Sequence, residues 1–155
     1  MFYTKSGRYI RFYGEEYKDM QAKNLILPGV YSLGDLFAAL LEAWCRDTAY
    51  PSCQKDYIYD NDPTYGQCAI TATLVFEIFG GTIHKVRVEG GGTHYFNKIE
   101  NHYIDLTSDQ FELYDIPLVY EQNQEVPREY CNKNTDTLNR HNLLVEILLN
   151  GNEIN

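Results

Sequence analysis

Hydrophobic and polar positions follow two different periods along the chain. Leu33, Leu36, Phe37, Leu40, Leu41 and Trp44 fall at i, i+3, i+4, i+7, i+8 and i+11, the stripe of an amphipathic helix. Ser32 is placed to cap that helix, Asp35 lies in its favourable first turn, and Pro51 lies beyond its end. From Thr64 to Phe79 apolar residues run almost all round, which predicts a buried helix. Thr64 and Gln67 have the spacing of a capping box, so this helix is expected to start near Tyr65, and Gly80-Gly81 to end it.

Downstream the period becomes two. Strands are expected over 82–88, 93–99 and 103–106, with Gly90-Gly91-Gly92 as the first break and a Glu100-Asn101 turn as the second. A short turn or helical piece is expected at 107–111, mostly loop over 112–133, and a last helix over 135–150 stopped by Gly151. Residues 1–30 form a Tyr-rich lead-in whose run Tyr9 to Tyr13 could make a short strand. A helix followed by an antiparallel sheet, without strand–helix alternation, predicts an α+β fold.

With 155 residues the chain is expected to be a single domain, 1–155, built as the lead-in 1–30 and a core over 31–150. Thirteen Lys and Arg against 22 Asp and Glu give a net charge of −9, which argues against nucleic acid or an anionic membrane as partner. No stretch approaches the roughly 18 apolar residues of a membrane span. The segment Met1 to Arg8 has no apolar signal region either, so a cytoplasmic protein with reduced thiols is expected. Cys45, Cys53, Cys68 and Cys131 include no Cys-x-x-Cys pair, and neither a metal nor another cofactor is expected.

The four thiols differ in setting. A thiolate is favoured in the first turn of a helix, where unpaired amides and the macrodipole create positive potential. Cys68 has that position, just after Gly66, a residue that would let a substrate backbone come close. Cys45 lies near a helix C-terminus, and Cys53 and Cys131 lie in polar segments without an activator. An activated cysteine needs an imidazole and a group to orient it. Of His84, His94, His102 and His141, His94 starts a strand directly after the three glycines. If the Glu100-Asn101 turn has two or four residues, Phe96 faces Asp105, and His94 becomes a diagonal neighbour of that carboxylate. A three-residue turn would put them on opposite faces. The expected triad is therefore Cys68, His94 and Asp105. The Cys68 amide is the first oxyanion donor, Gln67 or Asn61 a second, and Tyr65 and Tyr95 flank the site.

These residues carry a resemblance. Thr64 to Ala72, Gly92 to Asn97, Ile104 to Thr107 and Trp44 to Pro51 are similar to the YunG-like family of small bacterial proteins, over roughly Ser32 to Asn142. More distantly, Gly66-Gln67-Cys68 followed by a strand His and a strand Asp resembles transglutaminase-like and papain-like folds. That likeness implies a helix with an N-terminal cysteine packed on an antiparallel sheet, with Cys68 as nucleophile, His94 as base and Asp105 as orienter. Ala69 stands where those enzymes often carry an aromatic residue, and the chain is much shorter than a full papain. The function expected is a cysteine hydrolase or acyltransferase acting on an amide, peptide or isopeptide bond. The alternative is a non-enzymatic interaction domain that retains a triad-like core.

Overall fold

The computed structural model describes residues 1–131 and 134–153. Strands β1 (Phe2–Tyr3) and β2 (Tyr9–Ile10) pair as a small antiparallel hairpin. Helix α1 (Leu33–Ala43) begins at Ser32, whose hydroxyl accepts the Asp35 amide at 3.1 Å while the Asp35 carboxylate accepts the Ser32 amide. After the short α2 (Pro51–Gln54) comes α3 (Cys68–Phe79), followed by β3 (Thr82–Arg87), β4 (Thr93–Ile99) and β5 (His102–Ile104). Short helix α4 (Asp109–Glu112), strand β6 (Gln124–Val126), short helix α5 (Arg128–Cys131) and long helix α6 (Thr135–Glu153) complete the order. The architecture is α+β.

The main sheet has four strands in the order β5-β4-β3-β6, and each neighbouring pair is antiparallel. Between β4 and β5 the register pairs Asn97 with Ile104 and Ile99 with His102, leaving Glu100 and Asn101 as the turn. Both turn residues have positive φ, 50° and 71°, the combination whose twist matches that of the strands it joins.

Helices α1, α3 and α6 share one apolar core with the sheet, centred on Leu36, Phe37, Trp44, Ile70, Leu74 and Ile99. Polar anchors set the packing: the Trp44 indole donates to Thr71 Oγ1 at 3.1 Å, and the Asn97 amide donates to the Ala72 carbonyl at 2.9 Å. A burial this complete on α3, where eight of twelve residues are enclosed, explains its lack of a polar face.

Four local expectations change. Helix α3 starts at Cys68, about one turn later than the Thr64–Gln67 spacing suggests, and Gln67 is its N-cap without a side-chain cap bond. The capping box does not form because both side chains are drawn elsewhere. Thr64 donates to Asp62 and accepts the Gln110 amide, while Gln67 donates to the Cys45 carbonyl. The segment read as loop over 112–133 contains β6, which pairs with β3, and α5. Helix α6 runs through Gly151. Within the lead-in, β2 ends at Ile10, and Tyr13 then makes an isolated antiparallel bridge with Asp105.

Candidate active site

Cys68 occupies the first position of α3, and among the described residues its amide and that of Ala69 meet no acceptor. Gly66 just before it has φ +74, and a Cβ there would lie 2.9 Å from Cys53 Cβ and 3.0 Å from the Tyr50 nitrogen. The bare glycine thus lets the Tyr50–Cys53 turn close on the start of α3, a turn also held by the Tyr50 amide on the Gly66 carbonyl at 2.9 Å.

His94 is fully buried at the start of β4. Its Nε2 lies 2.6 Å from Asp105 Oδ2, so the two-residue turn brings imidazole and carboxylate together across β4 and β5. Asp105 is itself fully enclosed and saturated. Oδ1 accepts the Thr107 amide and hydroxyl at 3.1 and 3.2 Å, and Oδ2 also accepts the Tyr120 hydroxyl at 2.7 Å. Its backbone amide donates to the Tyr13 carbonyl at 3.0 Å.

Burial alone would drive the His94 ring toward neutrality. The charge and hydrogen bond of Asp105, with a smaller contribution from Cys68, overcome that and raise its pKa to about 10. Nδ1 remains enclosed without a hydrogen-bond partner among the described residues. The Cys68 thiol therefore acts on the ring without reaching full hydrogen-bond geometry. Tyr120 has its own pKa raised, first by burial and then by Asp105, which keeps it a phenol and a donor. The Phe111 ring meets the imidazole edge-on at 4.5 Å.

Cys68, Ala69, His94 and Tyr95 line one cavity of about 440 Å³, together with Phe111 and Gln110. A larger depression, about 590 Å³, lies against the lead-in between Tyr9 and Tyr17 and contains no cysteine. The other histidines are committed elsewhere. His84 bonds Thr82 and Asn123, His102 stacks on Tyr17 at 3.8 Å, and His141 meets Glu77 at 2.6 Å.

The oxyanion and flanking residues named from sequence separate in space. Gln67 is fully buried and does not line that cavity, and its amide nitrogen donates one proton to the Cys45 carbonyl at 2.9 Å. Asn61 and Tyr65 line a different depression, so only Tyr95 of the two tyrosines borders the cavity of Cys68. Tyr65 has its pKa pushed up to about 12, chiefly by a hydrogen bond with Cys53. All four cysteines are free thiols. Cys53 and Cys131 also border the cavity, and Cys131 is a buried residue of α5 whose pKa burial pushes up to about 12.

Sequence reasoning passed over Tyr120, Gln110, Phe111 and Arg140. Gln110 borders the cavity with one amide proton on the Thr107 carbonyl at 3.0 Å. None of these residues lies in a recognisable motif, so no local signal marked them.

Fold and site together define a small α+β protein in which a helix-start cysteine, a strand histidine and a buried aspartate gather beside one cavity. The chain belongs to the YunG protein family, whose model matches residues 32–151. Over 50 residues it is 44% identical to the protein named "Uncharacterized protein YunG" of Bacillus subtilis (strain 168). That alignment covers 32% of this chain and 43% of the relative, so it spans less than half of the relative's length. No solved structure matches. Among the described residues no helix is long and apolar enough to cross a membrane.

Proposed function

We propose that this protein is a cysteine hydrolase or acyltransferase acting on an amide, peptide or isopeptide bond, with a papain-like or transglutaminase-like core. The observation that carries the reading is the 2.6 Å His94–Asp105 bond behind a cavity that also holds Cys68 at a helix start. The Asp105 carboxylate is saturated while His94 Nδ1 is left without a hydrogen-bond partner among the described residues, and a buried polar atom left open beside a cavity marks a candidate functional site.

In this reading the Cys68 proton resides on His94, stabilised there by Asp105. The thiolate attacks the substrate carbonyl carbon, a C–S bond forms, and the carbonyl electrons move to oxygen. The free amides of Cys68 and Ala69 face that oxyanion, and Gln110 supplies a further donor in place of Gln67 and Asn61. As the intermediate collapses, the C–N bond breaks and His94 gives its proton to the leaving amine. Water or a second amine then attacks the thioester, His94 takes the proton released, and the thiolate departs. Asp105 holds the ring and its protonation state throughout. A cytoplasmic setting suits the four free thiols.

The test is labelling by a thiol-reactive acyl probe, in the native chain and in Cys68→Ala, with the pH profile of iodoacetamide alkylation alongside. Labelling confined to Cys68, and alkylation of Cys68 that outpaces Cys53 below pH 7, are expected. Equal rates at the two thiols would sink the reading and favour an interaction domain.

A further inference from the structure

The charged side chains that line the cavity beside Cys68 are cationic, unlike the balance of the whole chain. The protein carries a net charge of −9, yet among the described residues no Asp, Glu or Lys lines the cavity. The lining includes Arg140, which is 4% exposed, and His94, whose raised pKa keeps it cationic at neutral pH.

Arg140 is held firmly and only partly used. Its Nε donates to Asp136 Oδ2 at 2.9 Å, Nη1 to the Thr48 carbonyl at 3.0 Å, and Nη2 to Thr137 Oγ1 at 3.4 Å. A guanidinium has five N–H groups, so one proton on each terminal nitrogen meets no acceptor among the described residues. The Asp136 side chain is about half exposed, so water weakens its neutralising effect on the buried cation. Tyr50, whose ring centroid lies 5.5 Å from the guanidinium carbon, forms an aromatic wall on the same cavity. Thr137, also on the wall, belongs to the first turn of α6, whose positive end adds to the field.

We propose that Arg140 is the anion-binding subsite of this cavity, so that the substrate is an acyl compound carrying a carboxylate or equivalent anionic group on the part that lies away from the scissile carbonyl. This rests on Cys68 being the nucleophile. Tyr50, Tyr95 and Tyr130 line the same cavity as the thiol and the guanidinium, and their rings offer an apolar seat for the connecting chain. A buried, pre-oriented guanidinium recognises a carboxylate through paired N–H bonds and accepts a neutral amide poorly. The negative charge of the rest of the surface slows anionic encounters in general, so selectivity for an anion must come from this cavity.

Two reagents that differ only in charge test the idea. Bromoacetamides bearing a terminal carboxylate or a terminal carboxamide, on a graded series of methylene spacers, alkylate a thiolate by forming a C–S bond and releasing bromide. Site-resolved mass spectrometry gives the rate at Cys68 and at Cys53. For one spacer length the carboxylate reagent is expected to react about tenfold faster at Cys68, the size of one charge-assisted bond. Arg140→Gln removes that preference, Arg140→Lys keeps part of it, and added salt reduces it. A native Cys68 that reacts with the carboxylate reagent no faster than with the carboxamide at every length overturns the anionic subsite, even if Arg140→Gln fails to fold. Cys68 reacting no faster than Cys53 with the neutral reagent would instead overturn the nucleophile assignment.

Discussion

At the scale of single residues, Asp105 concentrates more interactions than any other group in the site. Four hydrogen bonds from Thr107, Tyr120 and His94 fix its carboxylate, and that fixed charge holds the His94 proton against complete burial. Asp105→Asn removes the charge and leaves a side chain of the same shape. In the proposed mechanism the imidazolium that stabilises the Cys68 thiolate is then weakened, so the rising limb of Cys68 alkylation against pH should move up by more than about one unit. An unchanged limb would show that Asp105 does not govern His94. Tyr120→Phe deletes one donor and keeps the ring against Phe96 and Tyr13, at centroid distances of 4.9 and 4.2 Å. A loss of about 1.5–3 kcal/mol in denaturant unfolding is expected, the ordinary worth of a bond to a charged acceptor.

Among the elements, the β4–β5 hairpin decides whether the site exists. Its turn has two residues at positive φ, and side chains alternate faces along both strands. One residue inserted between Glu100 and Asn101 shifts the pairing by one and turns Asp105 away from His94. The downfield proton resonance of the 2.6 Å His94–Asp105 bond should disappear from the NMR spectrum of such a variant, while helix content measured by circular dichroism stays. Persistence of that resonance would mean that the Tyr13 bridge, not the turn, sets the position of Asp105. The connection from α3 to β3 is equally narrow. A Cβ on Gly81, at φ +74, would press on the Lys98 carbonyl oxygen, so no side chain fits where helix meets sheet.

For the molecule as a whole, the lead-in is part of the fold and not an appendage. Ile10 and Phe12 are buried in the main core, Arg8 pairs with Asp109 at 2.8 Å, and Tyr13 clamps Asp105, although the family match begins only at residue 32. Removing residues 1–30 should therefore cost several kcal/mol, roughly the sum of two large core truncations, and show as a large drop in Tm. Ionisation shapes stability through three groups. The folded pKa of His94 is raised from 6.5, so its contribution is full below pH 6.5 and is lost as pH climbs toward about 10. Burial pushes Glu77 upward, but hydrogen bonds from His141 and Arg128 prevail and lower it, so its contribution is present above pH 4.5 and lost on acidification. Asp62 acts in reverse. Burial, with the nearby Asp109 charge, raises its pKa from 3.8 to about 6, and charging it destabilises the fold as pH rises through that range. Asp62→Asn should consequently melt higher than the native chain at pH 7 and show no such gain at pH 3. Equal differences at the two pH values would contradict the assignment.

The sequence by itself determined the parts that depend on neighbours along the chain. The stripe from Leu33 to Trp44 made α1, the apolar run made α3, and period-two alternation around Glu100-Asn101 made a hairpin whose register brings His94 to Asp105. Each follows from backbone periodicity or turn length, which act over a few residues. Tertiary structure decided the rest. The start of α3 moved to Cys68 because distant partners, Gln110 and Cys45, claimed the side chains of Thr64 and Gln67. Asn61 and Tyr65 were carried to another depression, while Tyr120, Gln110 and Arg140 arrived from segments remote from Cys68. Bonds between residues far apart in the chain leave no periodic trace, because what fixes them is the packing of whole elements and not the order of adjacent residues.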